Sequence, residues 1–373
     1  MPRKGENIYK RKDGRWEGRY IKGHSGGKAQ YGAVYAGSYR ETKKKLDEAK
    51  KALENKPCAA RAGNMADIGQ RWLSDMSATL KESSVNKYDD LLRCYILPEF
   101  GEYEFSEITN QNIIDFTSAL LSNGGVEQQG LAPSTVAEVL STLNSIRIYA
   151  LKRNCAVAFS PECVSIKREQ KDIRVFSLEE QNCLLEHLRE NMNPSALGIL
   201  VCFFTGIRIG ELCALNWDDF NLPEKKVRIR RTMQRLRVDD PGGHKTAVRI
   251  FEPKSTCSMR TIPISAAIME LLEKYYTQGT FLLTCKHEKF IEPRTMQNRF
   301  KSILRSCNIF DANFHAIRHT FATRCIEVGF DVKSLSEILG HASVEITLNR
   351  YVHPSMDLKT ANMKRLSDLF TVK

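Results

Sequence analysis

"HAIRHTFATRCIEVGFDVKSLSEILGHASVEITLNRYVHP", His315 to Pro354, is the stretch on which the reading of this chain turns. It gathers His315, Arg318 and His319 within little more than one helical turn, sets His341 behind a Leu-Gly pair, and reaches Tyr351 ten positions later. Taken alone, Tyr351 is one of 12 tyrosines and reads most simply as a packing residue. A phenol with its ordinary pKa of about 10 is a poor nucleophile without help. His315 and His319 have the i, i+4 spacing of a helical zinc pair, but Ala316 stands where that motif needs a glutamate, so no metal site is read here.

Upstream, "TGIRIGEL" (Thr205 to Leu212) puts Arg208 inside an apolar helical run, with Glu211 three residues on and on the same face. A buried arginine is costly unless paired, so a structural Arg208–Glu211 pair is the plain reading. A second reading concerns chemistry. Two guanidinium forks match phosphate oxygens and can stabilise charge building on a phosphodiester, histidines move protons near neutral pH, and a phenol can attack once both are in place. Spacing alone leaves phosphoryl transfer one candidate among others.

Bulk properties narrow the class. At 373 residues the chain exceeds one ordinary core and is expected to form two or three domains. A net charge of +12 suits a polyanionic partner, nucleic acid above all, with a basic protein lacking such a partner as the alternative. The 11 cysteines are odd in number and scattered without a C-x-x-C pair, which favours reduced thiols in a cytoplasmic setting; Cys202 and Cys213 lie in apolar helical pattern and are expected in a core. No stretch resembles a signal peptide or a membrane span, so no membrane partner is expected.

Three blocks emerge from composition. In residues 1–56, Asp13-Gly14 between alternating segments is a hairpin signal. Trp16, Gly18 and Tyr20 fall on one face and Arg15, Glu17 and Arg19 on the other. "QYGAVYAGSY" supplies a third strand and "ETKKKLDEAKKALENK" a helix with Leu46, Ala49 and Leu53 on one stripe. A basic ribbon of this kind can enter a DNA groove; Arg11, Lys12, Arg15, Trp16 and Arg19 are the candidate contacts, against a merely solvated hairpin. "PCAARAG" reads as a linker. Residues 64–160 read as all-helical, with Met65, Ile68, Trp72 and Met76 on one face. Ser83 or Ser84 is expected to cap a second helix ended by Pro98, Thr109 to cap a third, and Thr135 with Glu138 to form a capping box for a fourth. Lys87, Arg147, Lys152 and Arg153 are its candidate DNA contacts. After a second linker, residues 173–373 are mixed: a capping box at Ser177–Glu180, strands in "KVRIRRTMQRL" and "VRIFEPKSTCSMRTIPI", then helices.

On these residues the last block resembles the catalytic domain of the tyrosine recombinases, the phage integrase family: "TGIRIGEL" matches its first arginine box, and the His315–Pro354 stretch matches H-x-x-R-H, L-G-H and the tyrosine. More loosely, "YILPEFG" and "LAPSTV" in the middle block resemble the helical core-binding domain, and the first block resembles the arm-type DNA-binding domain of integrases from conjugative transposons. The resemblance implies a mainly α, multidomain chain: a small N-terminal three-stranded β-sheet plus helix, a helical core-binding domain and a mixed α+β catalytic domain. It implies that Arg208 and Arg318 hold the scissile phosphate, that His341 donates a third hydrogen bond to it, and that His315 assists proton transfer. Tyr351 would become the 3′-phosphotyrosyl link, and Glu211 would buttress Arg208 and the histidines rather than react. His319 would be structural. A hairpin lysine would protonate the leaving 5′-oxygen: Lys254, ahead of the "R-x-I-P" strand, with Lys245 as rival.

The same resemblance implies that no metal, ATP or other cofactor is needed, that the partner is double-stranded DNA with core and arm sites, and that a homotetramer works through a Holliday junction. A directionality factor is a possible further partner, and an apolar C-terminal tail (Leu358, Met363, Leu366, Leu369 or Phe370) would dock on a neighbouring protomer. Type IB topoisomerase chemistry, a non-catalytic DNA-binding regulator on this fold and a metal-dependent transposase are the rivals.

Overall fold

The computed structural model describes residues 7–25, 28–54, 63–125, 129–167, 173–238, 245–252 and 259–352, with 360, 363, 364, 366 and 367. Lys254, most of the first linker and most of the tail lie outside the described residues. The chain divides into two compact units, Met1–Glu169 and Gln170–Lys373.

In the first unit the Asp13-Gly14 turn, with Gly14 at φ 87°, joins β1 (Ile8–Lys10) to β2 (Trp16–Ser25), and β3 (Lys28–Ala36) completes an antiparallel sheet in the order β1-β2-β3. Helix α1 (Tyr39–Glu54) covers one face and buries Leu46 and Thr42 against it. Trp16 belongs to that covered face: its ring meets Tyr39 edge-on at 5.2 Å. Strand alternation puts this half-buried ring on the face that α1 covers.

Five helices come next: α2 (Met65–Ser77), α3 (Glu82–Leu91), α4 (Leu97–Phe100), α5 (Asn110–Asn123) and α6 (Pro133–Lys152). Met65, Ile68 and Trp72 join Ile96, Phe100, Phe116, Val139 and Leu143 in one core. Thr109 and Asn112 form the expected cap of α5. Three local expectations fail for physical reasons. Helix α3 starts at Glu82 behind Lys81, so neither serine caps it. Pro98 does not end the segment; a π-helical turn, Leu92–Ile96, carries the chain into α4, where Pro98 sits in the first turn and its missing N–H is no loss. Helix α6 begins at Pro133, whose fixed φ suits a first helical position, so Thr135 lies inside the first turn and is not its cap.

In the second unit, α7 (Leu178–Glu190) carries the Ser177–Glu180 capping box and packs on α8 (Pro194–Thr205), which is buried along nearly its whole length, Cys202 included. Gly206 ends α8 in the left-handed region at φ 65°, and an added Cβ would meet Phe321 at 2.4 Å, so only glycine fits. The chain restarts as α9 (Ile209–Cys213). Arg208 is therefore not inside a helix, as its apolar setting suggested; it sits at the N-cap of this short one. Strand β4 (Phe220–Asn221) and β5 (Lys226–Ile229) pair with the later β8 (Arg260–Pro263) in an antiparallel sheet, while β6 (Thr232–Arg237) and β7 (Thr246–Phe251) form a separate hairpin. Helices α10 (Met269–Tyr275), α11 (Pro293–Ser306), α12 (His315–Glu327), α13 (Val332–Leu339) and α14 (Val344–Tyr351) complete the unit.

Candidate active site

The motifs that lie far apart in sequence meet at the ends of α8, α12, α13 and α14. Helix α12 starts at His315, so His315, Arg318 and His319 share its first turns. Arg318 is 2% exposed, and its two terminal nitrogens donate to the carbonyls of Gly206 (2.9 Å) and Leu339 (2.8 Å). Arg208 donates to Gly340 O (3.2 Å) and to Glu211 Oε1 (2.9 Å). A third arginine, Arg260, holds both Glu211 oxygens (3.1 and 2.9 Å) and donates Nε–H to Ile338 O.

The carbonyls of Ile338, Leu339 and Gly340, at the C-terminal end of α13, are thus taken by Arg260, Arg318 and Arg208 in turn. Those groups have no partner within a helix and lie at the negative end of its dipole, which makes them natural seats for cations.

Glu211, 4% exposed, is the carboxylate shared by Arg208 and Arg260. Burial alone would raise its pKa, but the Arg260 hydrogen bonds and the two guanidinium charges outweigh that and hold it below its ordinary value. It braces two arginines, where the sequence suggested Arg208 and the histidines, and no histidine is among its hydrogen-bond partners. Burial and the neighbouring Arg208 charge pull Arg318 down to about 9, still cationic at neutral pH.

A cavity of about 330 Å³ opens over this floor, lined by Arg208, His315, Arg318, His341, Arg350 and Tyr351. Tyr351, 6% exposed, hydrogen-bonds through its Oη to His319 Nδ1 at 2.8 Å. His341 lies parallel to the tyrosine ring, with centroids 6.3 Å apart and planes 4° off, and its Nδ1 meets Thr347 Oγ1 at 2.7 Å. Burial raises the Tyr351 pKa, and the charges of Arg318, Arg350 and Arg208 pull the other way without overcoming it. The phenol is therefore protonated at rest.

The architecture and the motifs match known proteins. The "Phage integrase family" model covers residues 174–357, and the "Phage integrase, N-terminal SAM-like domain" model covers residues 65–121. A XerC-like tyrosine recombinase of Caldanaerobacter subterraneus subsp. tengcongensis is 27% identical over 337 residues, 82% of this chain and 83% of that one. Among solved structures, the Tn1549 transposon integrase in complex with a circular intermediate DNA superposes with a TM-score of 0.67 at 18% identity, over 80% of this chain and 99% of that one. A lambda integrase tetramer bound to a Holliday junction gives 0.58 at 14% identity, over 94% and 97%.

The chain is a tyrosine recombinase of the phage integrase family.

Several residues of this recombinase sit elsewhere than sequence reasoning puts them. His319, read as structural, is the hydrogen-bond partner of the tyrosine, whereas His315 lies nearer the mouth, its ring edge-on to His319 at 4.4 Å. The i, i+4 spacing sets His319 one turn deeper, beneath the phenol. Arg260 escapes sequence reasoning, although strand alternation carries a signal: it is in phase with buried Ile262, on the inward face of β8. Lys245 stands just before β7, its carbonyl accepting from Val238 N, while Lys254 lies outside the described residues.

Of the helical candidates for DNA contact, Arg147 donates to Phe159 O and Asn144 Oδ1. Lys87 pairs with Glu138, Arg153 with Asp75, and Lys152 is exposed. In the N-terminal sheet, Arg11 and Arg19 share Glu17, Arg15 holds Asp13, and Lys12 is exposed.

The site's histidines are kept neutral. Burial, then the neighbouring His315, Arg350 and Arg318, push His319 down to about 3; burial, then Arg318 and Arg208, push His341 to about 4. Unfolded, histidine titrates near about 6.5. Between those values the unfolded chain binds more protons, so stability rises with pH and is lost as acid is added. The thermal midpoint of the full chain, followed by circular dichroism, is expected to fall between about pH 6.5 and 5, above the usual carboxylate range, and His319→Asn to flatten that fall. A midpoint that stays level across the window would contradict this account.

Proposed function

We propose that this recombinase performs the integration and excision of a mobile element, breaking and rejoining DNA at core sites through Tyr351. The observation that carries the reading is the common cavity. It holds two arginines seated on backbone carbonyls, a neutral histidine and a buried tyrosine around about 330 Å³ of space.

In this reading the Arg208 and Arg318 guanidiniums bind the nonbridging oxygens and His341 adds a third donor, all aimed where charge grows in the pentacovalent transition state. The Tyr351 oxygen bonds to phosphorus as its proton passes to the histidines, His319 at the phenol and His315 at the mouth. The P–O5′ bond breaks and the 5′-oxygen takes a proton, for which Lys254, or Lys245 in its place, is the family's candidate. The phosphotyrosine keeps the bond energy, so a 5′-hydroxyl from a second duplex can attack and religate without ATP or a metal ion.

The chain is read as three working parts: residues 1–56 on arm sites, 64–160 with 173–373 clamping the core site. It would act as a homotetramer in the bacterial cytoplasm, on nucleoid or element DNA, with a directionality factor as an accessory partner. The lambda integrase tetramer on a Holliday junction and the Tn1549 integrase on circular intermediate DNA support this by likeness of fold. Two grips on one DNA raise effective concentration through the linker, and affinity should fall steeply with salt.

The test is a nicked suicide duplex carrying the core site, incubated with the full chain in EDTA. A covalent adduct on the 3′ side is expected; an adduct on the 5′ side, or one that needs a divalent metal, would overturn the assignment and revive the transposase rival. Supercoil relaxation without partner exchange would favour the topoisomerase reading. Deleting residues 1–56 should abolish arm-site gel shifts and spare core cleavage, and arm shifts that survive would refute that division of labour.

A further inference from the structure

We propose that Thr347 is a positioning residue for His341: its hydroxyl donates to Nδ1 and fixes the ring as the Nε2–H tautomer, so that a donor and not a lone pair faces the cavity. This rests on the phosphodiester reading above. The contact is short, 2.7 Å, and Thr347 is fully buried, where a hydroxyl must find a partner for its proton.

Other buried threonines show the usual solution. Thr42, Thr117, Thr142, Thr205 and Thr320 each give that proton to the carbonyl four residues earlier. The partner of Thr347, among the described residues, is instead the ring nitrogen. Were the ring to donate from Nδ1, the threonine proton would be left without an acceptor among those residues. A neutral imidazole has one donor nitrogen and one acceptor; with Nδ1 accepting, the proton sits on Nε2.

The assignment matters because burial and the flanking arginines keep this ring neutral at physiological pH. An imidazolium would donate from both nitrogens and need no instruction. A neutral ring in the wrong tautomer would set a lone pair against a phosphate oxygen gaining negative charge, in a site where such donors carry much of the catalysis.

Thr347 also lies one helical turn before Tyr351 on α14. Docking of that single short helix therefore brings in the nucleophile and sets the tautomer of its neighbour in one event.

Two measurements test this. Long-range ¹H–¹⁵N correlation of the His341 ring in the full chain without DNA is expected to show a protonated Nε2 and a pyridine-like Nδ1. A protonated Nδ1 would overturn the proposal whatever the enzyme does. In single-turnover cleavage of the suicide duplex, Thr347→Val is expected to slow adduct formation about 30-fold, short of the roughly 10²–10³ from losing a transition-state donor outright. Thr347→Ser should restore most of the rate.

Adding Thr347→Val to His341→Gln should cost nothing further. A folded Thr347→Val at the wild-type rate, or a multiplicative double variant, would refute the role while leaving the function above standing, since wild type would still form its adduct. A wild type that forms none fails the function alone, and the ring correlation still decides the tautomer.

Discussion

Tyr351→Phe is expected to form no covalent adduct with the suicide duplex while still binding it. The ring stays in its place against Ala322, Cys325, Leu335 and Leu339, so the fold is kept. The variant loses one hydrogen bond, to His319 Nδ1, a cost of about 1 kcal/mol. Cleavage has no such cushion. Without the oxygen there is no group to carry the phosphate, and removal of a covalent nucleophile costs on the order of 10⁶-fold elsewhere. Gel shift and denaturing electrophoresis of the same reactions separate the two effects. An adduct that persists in Tyr351→Phe would place the nucleophile elsewhere and dissolve the proposed site.

Arg318→Lys should be the most damaging conservative change. The guanidinium spans two carbonyls from different helices, Gly206 O and Leu339 O, and still presents itself to the cavity. A lysine ammonium is a point charge without the fork, so it can satisfy one carbonyl or face the phosphate but cannot do all three. One buried carbonyl left unpaired costs about 1–3 kcal/mol, which a urea midpoint would register. The lost transition-state donors lower the cleavage rate by at least about 10³-fold. Arg208→Lys is the contrast: its side chain is 37% exposed and keeps Glu211 within reach, so it should lose rate with little loss of stability. Arg318→Lys cleaving within tenfold of wild type would show that the phosphate is held by other groups.

Legibility in the sequence divides along physical lines. The amphipathic stripes, the Ser177 and Thr109 caps and the two arginine boxes are legible because each is a local pattern: a period, a cap, a spacing. Helix boundaries near Pro98, Pro133 and Arg208 are not, because a residue tolerated in a first turn resembles a breaker, and an apolar flank resembles a continuous helix.

The site's core members can be found in the sequence, yet their partners, the local Arg208–Glu211 pair apart, cannot. That His319 and not His315 meets the phenol depends on how deeply α12 is set against α14. That Arg260 shares Glu211 depends on β8 passing behind α13. Neither distance is written in any local window. Thr347 looks like an ordinary helical threonine for the same reason.

The end of α13 has one more consequence. Three arginines of the site, Arg260, Arg318 and Arg208, are held there by backbone, each on a different carbonyl of Ile338, Leu339 and Gly340. Side chains at 338 and 339 can change within the limits of packing without touching that arrangement. Length cannot. One residue inserted into the last turn would rotate the downstream carbonyls by about 100° and take all three arginines off their seats together. Position 338 should therefore accept other apolar side chains far more readily than the segment accepts a change of length.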